Sequence, residues 1–66
     1  MKLDKLIVNI RIEMDREGIN QKQLAKRCGL TEHAVGELLR GNTQDILVSS
    51  LYKLAQALNC KIKKLI

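Results

Sequence analysis

The side chains able to do covalent or coordination chemistry are few and scattered: one histidine, His33, two cysteines, Cys28 and Cys60, and seven carboxylates in 66 residues. No Cys-x-x-Cys and no histidine pair offers metal-ligand spacing. No nucleophile has a base beside it, so the sequence speaks against an enzyme and implies no metal and no cofactor. Cys28 and Cys60 could form one disulfide on paper. Each, however, falls at an apolar position of a helical pattern, where a free cysteine acts as a small buried hydrophobe, and both are read as core. What remains is charge: twelve Lys and Arg against seven Asp and Glu give a net +5. That balance suits a polyanion such as nucleic acid, although it also serves solubility and is met in domains that bind membranes or acidic proteins.

The elements that must position these groups are helical. Proline is absent, Tyr52 is the one aromatic residue, and the abundance of Leu, Ile, Lys, Ala, Glu and Gln favours helices over strands. A chain this short has a small core and is expected to form a single domain over residues 1–66. Leu3, Leu6, Ile7, Ile10 and Met14 recur at three- and four-residue steps and predict an amphipathic helix to about Glu17, ended by Gly18. Val8 and Ile12 form a second apolar edge on it, either a partner surface or a wider core. Asn20 can cap a helix starting at Gln21, with Leu24, Ala25 and Cys28 inward and Gly29 as its stop. Thr31 caps a third helix with Val35, Leu38 and Leu39 inward, closed by Gly41.

Asn42 to Asp45 is a polar loop of turn-forming residues. A fourth helix follows with Val48, Leu51, Leu54, Ala55 and Leu58 on one stripe, Asp45 or Ser49 as N-cap, and Asn59 as a left-handed exit. Ile62, Leu65 and Ile66 predict a last helical turn, with Lys61, Lys63 and Lys64 facing solvent. The start, Met1-Lys2-Leu3-Asp4-Lys5, leads into an apolar stretch broken by Asn9, Arg11 and Glu13. That stretch is too short and too charged for a signal peptide or a membrane span, so the expectation is a cytoplasmic protein without membrane association.

Two short helices joined by a tight glycine turn form the unit that enters the DNA major groove in many proteins. The stretch from Asn20 to Gly41 resembles the helix-turn-helix of the phage Cro and repressor family, the XRE-like group. Gln21, Leu24-Ala25, Gly29-Leu30-Thr31, Val35, Leu38 and Gly41 fall on that family's pattern in register, and Lys53 to Cys60 is similar to its fourth helix and exit. The resemblance covers nearly the whole chain and implies an all-α, compact five-helix, lambda-repressor-like domain. Many family members pair an Arg late in helix one with a Glu late in helix three. Here Met14 and Leu39 stand at those positions, so a dry contact replaces an ion pair.

Carried over residue by residue, the resemblance assigns base reading to Glu32, His33, Gly36 and Glu37. It assigns phosphate contacts to Gln21 at the start of helix two and to Thr31, Arg40, Asn42 and Thr43 flanking the reading face, with Lys22 and Lys26 adding nonspecific attraction. Two carboxylates on that face are unusual, but glutamate can accept from the cytosine amino group. Gly36 in a helix interior implies close backbone approach or a tolerated flaw. The implied function is a prokaryotic, phage or mobile-element transcriptional regulator, in the first instance a repressor. It would bind double-stranded DNA as a homodimer by operator occupancy, without a small-molecule ligand. Candidate dimer surfaces are Val8 and Ile12, or Leu65 and Ile66. The alternative is a protein-interaction module, such as an antitoxin or accessory factor, that uses the acidic face of helix three.

Overall fold

The computed structural model describes residues 3–66; Met1 and Lys2, part of the stretch read above for a leader, lie outside it. Within the described residues the chain folds as α1 (Leu3–Glu17), α2 (Gln21–Cys28), α3 (Glu32–Leu39) and α4 (Val48–Ala57), followed by one 3₁₀ turn (Ile62–Lys64). The expected fifth helix is therefore only that turn. Asn59 leaves α4 in the left-handed conformation at φ 53°, and the three residues of the turn are too few to close a ladder of i→i+4 bonds.

Local signals account for most boundaries. The Asn20 side chain accepts from the Gln23 backbone N–H at 2.8 Å while Gln23 Oε1 accepts from the Asn20 N–H at 2.9 Å. This reciprocal capping box holds the first turn of α2. Gly29, at φ 72°, ends the helix; its missing Cβ makes the left-handed turn into α3 inexpensive. Thr31 Oγ1 then accepts from the Ala34 N–H at 3.0 Å to start α3.

The N-terminus of α4 departs from expectation. Neither Asp45 nor Ser49 caps it; Leu47 occupies the cap position with no side-chain hydrogen bond. Asp45 Oδ1 instead accepts from the next N–H, that of Ile46. Val48, expected on the buried stripe, is 65% exposed, while Ile46 from the preceding loop packs against the core.

The core gathers one stripe from each helix. Leu6, Ile10 and Met14 of α1, Leu24, Ala25 and Cys28 of α2, Val35, Leu38 and Leu39 of α3, and Leu51, Leu54, Ala55 and Ala57 of α4 are buried in one cluster with Leu58 at the α4 cap and Leu65 beyond it. Met14 and Leu39 are both in it, so the expected apolar replacement holds at both positions. Cys28 is buried, whereas Cys60 is only half-buried at the edge; both thiols are free. Burial pushes the Cys60 thiol pKa up. Leu65, expected as a partner surface, is fully buried, while Val8 and Ile12 are exposed as the periodicity implied.

Side chains from α1 and α2 satisfy the carbonyl ends of the other elements. Arg11 Nη2 donates to the Leu39 carbonyl at 2.9 Å, and Arg16 Nη2 to that of Leu58 at 3.1 Å. Arg27 Nη1 donates to the Ala57 carbonyl at 3.2 Å and Asn9 Nδ2 to that of Leu65 at 2.9 Å. The last carbonyls of a helix have no intrahelical partner, and a cation there also meets the negative end of the helix dipole.

Two outcomes follow from this bonding. Arg11→Ala leaves the end of α3 without its cap and is expected to cost roughly 1–2 kcal/mol, read as a fall in Tm of about 4–8 °C per kcal/mol in a thermal melt. Glu17 accepts from Asn59 Nδ2 at 2.9 Å and from Arg27 Nη1 at 3.2 Å. The Asn59 bond first, then the Arg27 bond, holds its carboxyl below the ordinary 4.5. A lowered folded pKa stabilises the fold above the unfolded value, and that contribution is lost as pH falls through the folded one. Glu17→Gln should therefore flatten the acid limb of stability against pH below about 4.5, measured by denaturant midpoints.

Candidate nucleic-acid interface

The α2–α3 pair presents one polar face built on this core. Val35, Leu38 and Leu39 bury the inner side of α3, so the helical period leaves Thr31, Glu32, His33, Ala34 and Arg40 exposed, with Glu37 intermediate. On α2, Lys22 and Lys26 are exposed and one turn apart, beside half-buried Gln21. Asn42 is exposed and Thr43 half-buried in the loop that follows α3.

The structure brings much of this set into mutual contact. Gln21 Nε2 donates to the Glu32 carbonyl at 3.2 Å, tying the start of α2 to the start of α3. Glu37 Oε1 accepts from Arg40 Nη2 at 3.0 Å and lies 3.7 Å from His33 Nε2. The His33 contact becomes an ion pair only when the imidazole is protonated. Hydrogen bonding from Asn42, and then from Arg40, holds the Glu37 carboxyl below its ordinary range. The charge of Glu37, one of the two carboxylates unusual on that face, is thus matched locally by Arg40. Glu32 stands apart, exposed in the first turn of α3, where a carboxylate complements the helix dipole.

Gly36 is buried, and what covers it is informative. A Cβ built there would lie 2.6 Å from Gln21 Nε2 and 3.1 Å from Arg40 Nη1. Gly18, Gly29 and Gly41 have positive φ; Gly36 has ordinary helical backbone. Clearance for these two side chains, rather than conformation, is therefore what a glycine supplies at this position. Thr31 and Asn42, expected at phosphates, are already engaged: Thr31 Oγ1 caps α3, and Asn42 bonds the Glu37 carboxyl through its side chain and the Glu37 carbonyl through its N–H at 3.0 Å.

Some participants were not visible beforehand. Ala34 is exposed on the reading side and, with Leu30, Leu38, Ile46 and Leu47, lines a shallow apolar groove between α3 and the loop to α4. Helical phase relative to Val35 could have placed Ala34 on the surface. The role of Arg11 in holding the far end of α3 has no signal in the sequence, because its partner is 28 residues away. Among the described residues no group of His, Cys, Asp and Glu is arranged to hold a metal, and no helix is long and apolar enough to cross a membrane.

Comparison with known proteins agrees with this geometry. Residues 9–66 match the family model described as the Cro/C1-type HTH DNA-binding domain. The restriction-modification controller protein C.AhdI from Aeromonas hydrophila has a similar crystal structure, at TM-score 0.88 and 30% identity, covering 97% of this chain and 96% of that one. No curated protein matches the chain.

Gly36→Ala tests the clearance argument. The Cβ meets the movable ends of two side chains, and Ala is favoured over Gly by about 1 kcal/mol in a helix interior. Thermal stability should therefore hold or rise, while the Gln21 side-chain amide loses its bond to Glu32, seen as a shift of its NMR resonances. A large fall in Tm would mean that the space is closed by something less yielding.

Proposed function

The chain belongs to the Cro/C1-type helix-turn-helix DNA-binding family, and on that premise we propose that it is a transcription regulator that occupies an operator as a two-fold dimer. The observation that carries this reading is the exposed first turn of α3. Gln21 ties that turn to α2 and Arg11 holds the far end of the helix, and no apolar side chain among the described residues covers it. A helix fixed in this way can enter the major groove with little ordering cost.

In this reading Glu32 and His33 face base edges, with Glu32 suited to a cytosine amino group and His33 to an acceptor such as guanine N7. Lys22 and Lys26 meet phosphates along the face of α2, and Gln21, Thr31, Asn42 and Thr43 border the same strand. The likeness to a restriction-modification controller supports a place in the control of restriction and modification genes. Repression by steric exclusion of polymerase is the action proposed. The single domain over residues 1–66 is proposed as the functional unit. The matching of Glu37 by Arg40 removes much of the case for an acidic protein-docking face.

The second copy is placed on the patch formed by Leu47, Val48 and Tyr52, each more than half exposed at the start of α4. That patch is continuous with the loop that leaves the reading helix. In this reading copies joined there have to set both α3 helices toward one duplex face, with half-sites about 34 Å apart. Val8 and Ile12 lie on α1, and only Ile66 remains exposed of the C-terminal pair.

In vitro selection of duplex sites should return a palindromic consensus, and failure to bind any duplex at micromolar protein in low salt rejects the reading. His33→Ala should change preference at one position of each half-site. Lys22→Ala should weaken binding on all sequences and reduce the slope of log K against log salt by about one. Leu47→Glu should shift the sedimentation of the protein to that of a monomer with the helical signal retained.

A further inference from the structure

Arg40 differs from the other three arginines of the chain. Arg11, Arg16 and Arg27 each donate to a carbonyl at the end of a helix. Arg40 donates to no such group among the described residues; it turns back along α3 instead. Its Nη2 is held by Glu37 Oε1 at 3.0 Å, and its Nη1 lies 3.1 Å from where a Cβ of Gly36 would stand. The guanidinium is thus carried over the reading face of α3 by one full turn, through a gap that an alanine would narrow.

We propose that Arg40, held by Glu37 and admitted by Gly36, is a specificity-determining residue that reads the O6 and N7 edge of a guanine. The assignment rests on the DNA-binding reading above and moves Arg40 from the phosphate set to the base set. Three observations favour a base over a phosphate. The Arg40–Glu37 pair is close to neutral as a unit, so it gains little from the charge of a phosphate, whereas the uncharged acceptors of guanine need only correctly placed donors. The carboxylate fixes one edge of a planar, rigid fork and leaves the remaining N–H groups free, which lowers the ordering cost of a bidentate contact. The direction of the side chain, toward Gly36 rather than away from the helix, brings Nη1 over Gly36 near Gln21 and Nη2 onto Glu37, the carboxylate that also faces His33.

The test compares base preference and salt dependence in parallel for the wild type, Arg40→Ala, Glu37→Gln and Lys22→Ala, using duplexes drawn from the selected consensus with single-base changes. Arg40→Ala should lose preference for guanine at one position of each half-site by roughly 5- to 150-fold and keep the salt slope of the wild type. Glu37→Gln should weaken discrimination at that same position and no other. Lys22→Ala supplies the contrast, a uniform loss with a reduced slope. If Arg40→Ala lowers affinity equally on every duplex and reduces the slope by about one, Arg40 is a phosphate contact and the inference is overturned while DNA binding stands. If the wild type itself shows no preference for any duplex, the functional reading falls as well.

Discussion

The carbonyl groups at the C-terminal ends of α3 and α4 face a difficulty common to all short helices. They have lost water to packing and have no partner in their own ladder. Arg11 answers it for α3, and Arg16 and Arg27 answer it for α4, each from a helix far away in sequence. These charged caps do more than satisfy acceptors. Each fixes the distance and rotation between two helices that share only a narrow apolar stripe. Eight-residue α3 is thus held by hydrogen bonds at both ends as well as by Val35, Leu38 and Leu39 beneath it.

This arrangement also decides what the positive charge of the chain is for. A net +5 looks like an electrostatic footprint for DNA, yet three of the arginines contribute to internal structure and the carboxylates of Glu13 and Glu17 lie against Arg16 and Arg27. Lys22 and Lys26 remain free on the α2 side, and Lys61, Lys63 and Lys64 lie exposed at the far end of the chain. In the proposed reading, recognition rests on placed contacts more than on charge, with Glu37, His33 and Arg40 a connected set on α3.

Glycine illustrates how one residue type has two meanings here. At Gly29 the left-handed turn between α2 and α3 requires it, and the sequence announces this by placing it between two capped amphipathic segments. At Gly36 the backbone is ordinary and the requirement comes from Gln21 and Arg40 crossing above it. No local pattern distinguishes the second case from a flaw in a helix. Only the approach of a side chain fifteen positions earlier in the chain does.

Much of the fold was legible in the residues themselves. The caps at Asn20 and Thr31, the left-handed exits at Gly18, Gly29 and Asn59, and the buried stripes of α1 to α3 all follow from interactions within one or two turns, which is the range over which sequence acts directly. Four details differ from expectation: Val48 is exposed while Ile46 packs against the core, Leu47 rather than Asp45 or Ser49 opens α4, the last helix is a 3₁₀ turn, and Cys60 lies at the edge of the core rather than inside it. The sequence alone determined that this is a helix-turn-helix with its polar face on α3, because periodicity and capping are local. Tertiary structure alone decided that Arg11 holds the end of α3, that Gln21 crosses above Gly36, and which apolar residues stay exposed, because each depends on side chains that only folding brings within reach.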